Sequence, residues 1–304
     1  MGKLDKHFLP DFFIPGAPKC GTTTLHDLFD EHPKISMSKI KEPGYWKNKK
    51  FNDFSETEIS NYKNLFTNKS VLSGESSTAY MFHDSFIKNI KKHYDTYPKF
   101  IFILRNPIER YQSHFNWMKG LGLEKNNIDN SISNGCIFNF KEYEDYPKFY
   151  FEFGFYYKWI MRFVLNFGKQ NIKLITLEDL INNKISVLNS CYEFLEVNKI
   201  NDVNNIRSNQ SKKIIFPAIF HFLRKSISQR MNYTKFIKYV IPSRIRYIIK
   251  QVLRKIINNW VSIDLNASKM SIHSREKLKQ LYFDDVKNLK SIFKAKFSNW
   301  KDFE

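Results

Sequence analysis

Cysteine is scarce in this chain, long apolar runs are missing, and one long stretch contains no acidic residue. The three cysteines, Cys20, Cys136 and Cys191, stand far apart, with no CxxC pair and no histidines at zinc-ligand spacing. That argues against a disulfide framework and a structural metal, and leaves three free thiols in a reducing compartment as the expectation. The N-terminal "MGKLDKHFLPDFFIPG" has no apolar run fit for a signal peptide or a membrane span, and Lys6 breaks the myristoylation pattern. Four N-x-S/T sequons, at Asn68, Asn209, Asn232 and Asn266, read as chance in so Asn-rich a chain. A cytoplasmic protein is expected, without repeats or low-complexity linkers. Between Asp202 and Asp264 there is no Asp or Glu, while Lys and Arg occur thirteen times, in a chain of net charge +19. Such a segment suits an anionic partner.

What is present favours one large α/β domain. An apolar share of 42%, with 29 Phe and 16 Tyr among 304 residues, is ample for a buried core. Short apolar runs alternate with longer amphipathic ones, the pattern of parallel strands and crossover helices. Strands are predicted at 11–16 ("DFFIPG"), 70–76 ("SVLSGES"), 99–105 ("KFIFILR") and 172–176 ("IKLIT"). Helices are predicted at 22–33, 84–94, 107–119, 157–167, 177–195 and 274–293, the last with Leu278, Leu281, Tyr282, Val286 and Leu289 on one face. Residues 120–150 read as an irregular excursion. The expected domain spans 8–304, with a basic, mostly helical segment at 203–263.

"GAPKCGTTTL" (16–25) has the glycine spacing of a phosphate-binding loop, yet Thr22 stands where an ATPase has its lysine. Following a strand and opening a helix, the loop still forms a cradle of backbone N–H groups for an anion. Thr22, Thr23 and Thr24 add hydroxyls, and Lys19 lies across the anion. This arrangement suits a donor with one phosphate and a neighbouring transferable group better than a metal-bound triphosphate. A tight turn with incidental glycines is the plain alternative.

"FILRNPIERYQSHF" (102–115) puts Arg105 at the end of a strand and Ser113 eight residues later on a helix. Ligands of open α/β sheets bind outside the carboxyl ends of the strands, so Arg105 and the loop are expected to face one crevice. A guanidinium there suits a phosphate monoester, and a hydroxyl can share it. Glu109 and Arg110 are expected to make surface or packing contacts.

Together these segments resemble the sulfotransferases that use 3′-phosphoadenosine 5′-phosphosulfate (PAPS). "PKCGTTTL" is similar to their 5′-phosphosulfate loop and "LRNPIERYQSHF" to their 3′-phosphate motif. "KEPGYW" (41–46), "GESSTAY" (74–80) and, more weakly, the C-terminal helix extend the likeness, which is nearest the carbohydrate-type branch. The resemblance implies an α/β, P-loop-type parallel sheet flanked by helices, and a sulfuryl transfer from PAPS to a hydroxyl of a glycan or glycolipid, releasing 3′,5′-ADP without a metal. It implies Glu42 as base, with Lys19 stabilising charge at the transferring group. Pro18, Lys19, Cys20, Gly21, Thr22, Thr23 and Thr24 would bind the 5′-phosphosulfate, and Arg105 with Ser113 the 3′-phosphate. Lys212 and Lys213 in "NQSKK" match a loop that closes over the donor. Gly44 and Ser76 replace a His and a Lys of the heparan sulfate enzymes, which implies a different acceptor. His83 and His114 read as packing or surface residues and Glu75 as a buried structural carboxylate.

Three readings of the basic segment stay open. It binds an anionic glycan or glycolipid acceptor, it rests on an anionic membrane through 236–260, or it is a solvated face. Two other functions compete: a P-loop kinase or NTPase, which lacks its lysine after Gly21 and its strand-end Asp, and a nucleic-acid-binding protein, which leaves the loop, Arg105 and Ser113 unexplained. No nucleic-acid partner is expected.

Overall fold

The computed structural model describes residues 7–48, 50–66, 71–120, 123–133, 149–202, 268–293 and 297–304, and the backbone of 212–214 and 261–263. Two compact units divide the chain. The first is Met1–Tyr111, Gly135–Asn209 and Ser271–Glu304; the second is Gln112–Asn134 and Gln210–Met270.

The first unit is built on five parallel strands: β1 (Phe12–Gly16), β2 (Ile35–Met37), β3 (Leu72–Ser76), β4 (Lys99–Leu104) and β5 (Ile172–Thr176). Their order is β2-β3-β1-β4-β5. β1 and β4 are buried along nearly their whole length, which is why both read as continuous apolar runs. Alternation decides which layer each side chain serves. Phe12, Ile14, Ile101 and Ile103 pack with Leu25, Leu28 and Phe29 of α1 (Thr22–Asp30), and with residues of α7 (Leu177–Asn182) and α8 (Lys184–Phe194). On the other face Phe13 meets Phe86 of α3 (Asp84–His93), while Phe100 and Phe102 meet Phe163 of α6 (Tyr156–Phe167). Edge-to-face ring pairs of this kind add about 0.5–1.5 kcal/mol each beyond simple burial.

The predicted α/β architecture is the observed one, with local differences. β2 has three residues, too few for a periodic signal. The helix predicted over 177–195 is two helices, because Asn183 leaves the helical region at φ −136°, ψ 49°. α2 (Glu56–Lys63) begins with a capping box between Ser55 and Glu58, which satisfies N–H groups the helix cannot pair internally. The last helix, α9 (Ile272–Phe293), buries Leu278, Tyr282, Val286 and Leu289 as predicted, and leaves Leu281 half-buried.

α4 (Pro107–Gly120) continues from the first unit into the second. There Asn116 exchanges two hydrogen bonds with the backbone of Ser268, at 3.0 and 3.1 Å, and α5 (Ile128–Ser133) occupies part of the stretch expected to be irregular. β6 (Lys212–Ile214) and β7 (Val261–Ile263) pair antiparallel. The remainder of the basic segment, including 236–260, lies outside the described residues.

β3 is held closely between its neighbours at Gly74, where an added Cβ would sit 2.3 Å from the Phe12 ring and 2.5 Å from the Met37 sulfur. Gly74→Ala is expected to destabilise the fold by about 1–3 kcal/mol through overpacking. Urea unfolding checks this: the midpoint falls while the slope m stays constant.

Candidate active site

β1 lies between β3 and β4, so the crevice outside its carboxyl end is where connections diverge to the two sides of the sheet. The loop Ala17–Gly21 fills that position, anchored by the Ala17 N–H donating to the Ile103 carbonyl at 2.9 Å. Gly21 caps α1 in the left-handed region, φ 88°, and a Cβ there would meet Leu177 at 2.6 Å. Both constraints require glycine. With no capping side chain and no acidic residue in its first turn, α1 presents its N-terminal amides and the positive end of its dipole to the crevice. The Thr22 side chain is buried, whereas Thr23 and Thr24 are half-buried.

Cations gather around this helix end. The Lys19 ammonium is pushed down to about 8 by burial, then by the Arg105 guanidinium, with Lys41 and Arg110 adding to the effect and Cys20 opposing it. Arg110 is fully buried and donates to the Tyr150 carbonyl. Cys20 turns its thiol into the core beside the Tyr156 hydroxyl, 3.4 Å away, and burial pushes it up to about 11. Cys20 therefore offers the crevice its backbone rather than a nucleophile. Cys191 is likewise a buried free thiol.

Glu42 stands on the β3 side. Its N–H donates to the carbonyl of Ser76 at the end of β3, 2.8 Å away. Its carboxylate accepts from Lys41 at 2.7 Å, from the Thr78 N–H at 2.8 Å and from the Thr78 hydroxyl at 3.0 Å. Three described non-glycine residues have positive φ: Lys19 at 66°, Glu42 at 61° and Glu196 at 61°. Two of them are the residues singled out for chemistry. Non-glycine residues held in this region tend to mark functional sites, a signal that sequence does not carry.

Beneath Glu42 lies a buried polar network. Glu75 accepts from Tyr62 and from Ser77, the latter at 2.7 Å. Ser77 in turn accepts from the Gly44 N–H, Tyr80 accepts from the Trp46 N–H, and Trp46 Nε1 donates to Tyr62. Burial raises the Glu75 carboxyl to about 7 against the hydrogen bonds from Tyr62, Tyr80 and Ser77. Glu75 thus supports the 42–46 segment from below. His83 is buried, and His114 packs near Trp117 in the second unit.

Arg105 follows the end of β4, and its carbonyl accepts from the Tyr156 hydroxyl at 2.8 Å. Tyr156 therefore links Arg105 to Cys20 in the loop, a pairing the sequence does not announce. Arg105 is 3.9 Å from Glu109, whose other oxygen is held by Arg275 at 2.8 Å. The first unit thus brings together the loop, Lys19, Glu42 and Arg105. Ser113 lies on the part of α4 that belongs to the second unit, half-buried, and Lys212 and Lys213 lie in β6 of that unit. Sequence reading sets Lys41 beside the Glu42 carboxylate, as observed, and passes over the parts played by Thr78 and Tyr156, for which it carries no local signal.

A helix N-terminus ringed by cations at a strand-end crevice defines an anion-binding α/β enzyme of the phosphate-loop class. The sulfotransferase domain model matches residues 9–238, and the chain belongs to that family, whose sulfuryl donor is PAPS. Mouse carbohydrate sulfotransferase 15 is 24% identical over an alignment of 260 residues, covering 65% of this chain and 46% of that protein. The human protein of the same name is 52% identical over 50 residues, 15% of this chain and 9% of that protein. The chain thus spans less than half the length of these relatives. A sulfotransferase structure from Alicyclobacillus acidocaldarius superposes with a TM-score of 0.65 at 20% identity, covering 97% of this chain and 99% of that one. The described residues fit a donor with anionic groups at two points, one over the α1 amides and Lys19 and one at Arg105.

A bound anion favours protonated Lys19, so binding raises its pKa above about 8. If Lys19 holds the donor, affinity for 3′,5′-ADP is expected to be full below pH 8 and to fall as pH rises above it, by up to about tenfold per unit. Calorimetric titrations from pH 7 to 10 check this, and Lys19→Met is expected to remove the dependence.

Proposed function

We propose that this chain transfers a sulfuryl group from PAPS to a hydroxyl of a glycan or glycolipid acceptor, in the cytoplasm. The observation that carries the reading is the loop at the uncapped N-terminus of α1, which contains Lys19 and is linked to Arg105 through the Tyr156 hydroxyl. A carbohydrate acceptor is supported by the likeness to carbohydrate sulfotransferase 15, and an anionic one suits the basic 203–263 segment. Peripheral contact with a membrane through 236–260 belongs to the same reading. Among the described residues no helix is long and apolar enough to cross a bilayer.

PAPS, when bound, supplies a sulfuryl group joined to its 5′-phosphate through a bridging oxygen. Glu42 takes the proton of the acceptor hydroxyl as its oxygen bonds to sulfur and the bond from sulfur to the bridging oxygen breaks, releasing 3′,5′-ADP. Lys19 stabilises the charge that grows on the bridging oxygen, a preorganised electrostatic role. The loop from Pro18 through Cys20 and Gly21, with the amides and hydroxyls of Thr22, Thr23 and Thr24, holds the 5′-phosphate. Arg105 holds the 3′-phosphate, which separates this nucleotide from ATP. Thr78 and Lys41 orient Glu42 and leave one lone-pair direction of its carboxylate open to an acceptor.

Thermal shift tests the donor. At about a hundred times its Kd, 3′,5′-ADP is expected to add about 2.7 kcal/mol of stability, with little from ATP–Mg²⁺ and the effect lost in Arg105→Ala. Stabilisation by ATP–Mg²⁺ at least as large would overturn the reading in favour of an NTPase. In turnover with labelled PAPS and a glycan acceptor, Glu42→Gln is expected to lower kcat about 10²–10⁴-fold and leave 3′,5′-ADP affinity within a factor of about two. Unchanged turnover would remove Glu42 as the base.

A further inference from the structure

Arg105 has two competitors for its guanidinium. One is the anion on the crevice side, where Lys19 already feels its charge. The other is Glu109, a turn away, which reaches it only loosely at 3.9 Å. That looseness has a visible cause. The other oxygen of Glu109 accepts from Arg275 Nη1 at 2.8 Å, while Nε and Nη2 of Arg275 grip both oxygens of Asp302 at 2.8 Å. Asp302 also accepts from the Asn106 side chain at 2.6 Å, and the Asn106 side chain accepts from the Ile108 N–H at 3.0 Å at the start of α4. Glu178 receives the Asn106 N–H at 2.8 Å and Trp300 Nε1 at 3.1 Å. The residue directly after Arg105 is thereby fixed to the C-terminal segment.

We infer that Arg275 is a positioning residue that sets selectivity for the 3′-phosphate, by engaging Glu109 and leaving Arg105 to the donor. The inference rests on the reading of Arg105 as the 3′-phosphate ligand. Charge makes the argument. Glu109 brings a negative charge to 3.9 Å from Arg105, and Arg275, itself held by Asp302, engages that charge from the other side. Without Arg275, Glu109 loses its second partner and closes on Arg105, so the 3′-phosphate competes with a carboxylate for that guanidinium. The effect is confined to that end of the nucleotide, because the 5′-phosphate is served by the α1 amides and Lys19. A merely structural role for Arg275 would weaken every ligand alike.

The test compares equilibrium binding of 3′,5′-ADP and 5′-AMP, which differ only in the 3′-phosphate. The native protein is expected to prefer 3′,5′-ADP by about 10–100-fold, the worth of a charge-assisted contact. Arg275→Gln is expected to cut that ratio about tenfold with 5′-AMP affinity unchanged, and Glu109→Gln added to it restores most of the loss. An unchanged ratio, or equal weakening of both nucleotides, overturns the inference. Should Arg275→Gln fail to fold, Glu109→Gln alone serves: it is expected to raise the ratio about threefold, and an unchanged or lower ratio overturns the inference. Arg105→Ala separates the levels. If it abolishes the preference while Arg275→Gln does not touch it, the inference alone fails; if the native protein shows no preference, or Arg105→Ala keeps it, the reading of Arg105 falls and takes the inference with it.

Discussion

The charge of Arg105 acting on the Lys19 ammonium, in the loop that leads into α1, is the interaction on which the candidate site turns. Desolvation of the ammonium, and then the Arg105 charge, disfavour protonated Lys19 and lower it to about 8. Lys19 deprotonates more readily folded than unfolded, so this pair detracts from stability below pH 8, and the deficit disappears as pH rises towards the ordinary lysine value. An anion at the uncapped end of α1 would offset that cost. The loop geometry serves the same end: Gly21 brings the backbone close, and α1 adds its dipole from the same direction.

The β3 side of the crevice is organised around a second constraint, a carboxyl group kept in the core. Glu75 is fully buried, yet its hydroxyl partners reach out to Gly44 and Trp46 on the strip that carries Glu42. Around them Tyr45 and Tyr62 stack 3.8 Å apart, with Trp46 and Phe51 packed alongside. A dense aromatic shell and a satisfied polar network hold the 42–46 backbone from beneath, and Thr78 holds the Glu42 carboxylate from the side. The strain at Glu42, φ 61°, is sustained by these contacts.

The parts legible in sequence are those that local pattern encodes. β1, its loop and α1 share one continuous stretch, "DFFIPGAPKCGTTTL", and the apolar run of β4 leads straight into Arg105. α6 and α9 follow from helical spacing of their apolar residues. The illegible parts depend on partners distant in the chain. Thr78 lies 36 residues from Glu42, Tyr156 lies 51 from Arg105, and Arg275 lies 166 from Glu109. Spacing predicts none of these, since each is set by tertiary packing between elements far apart in the chain. Asn183 is a different case: its departure from helical geometry divides a stretch whose apolar spacing reads as continuous.

The most direct measurement is a structure of the complex with 3′,5′-ADP. The 5′-phosphate is expected over the first turn of α1, within hydrogen-bond reach of Lys19, and the 3′-phosphate on the Arg105 guanidinium. A nucleotide bound away from the carboxyl ends of β1 and β4, or one with its 3′-phosphate facing solvent, would contradict this placement.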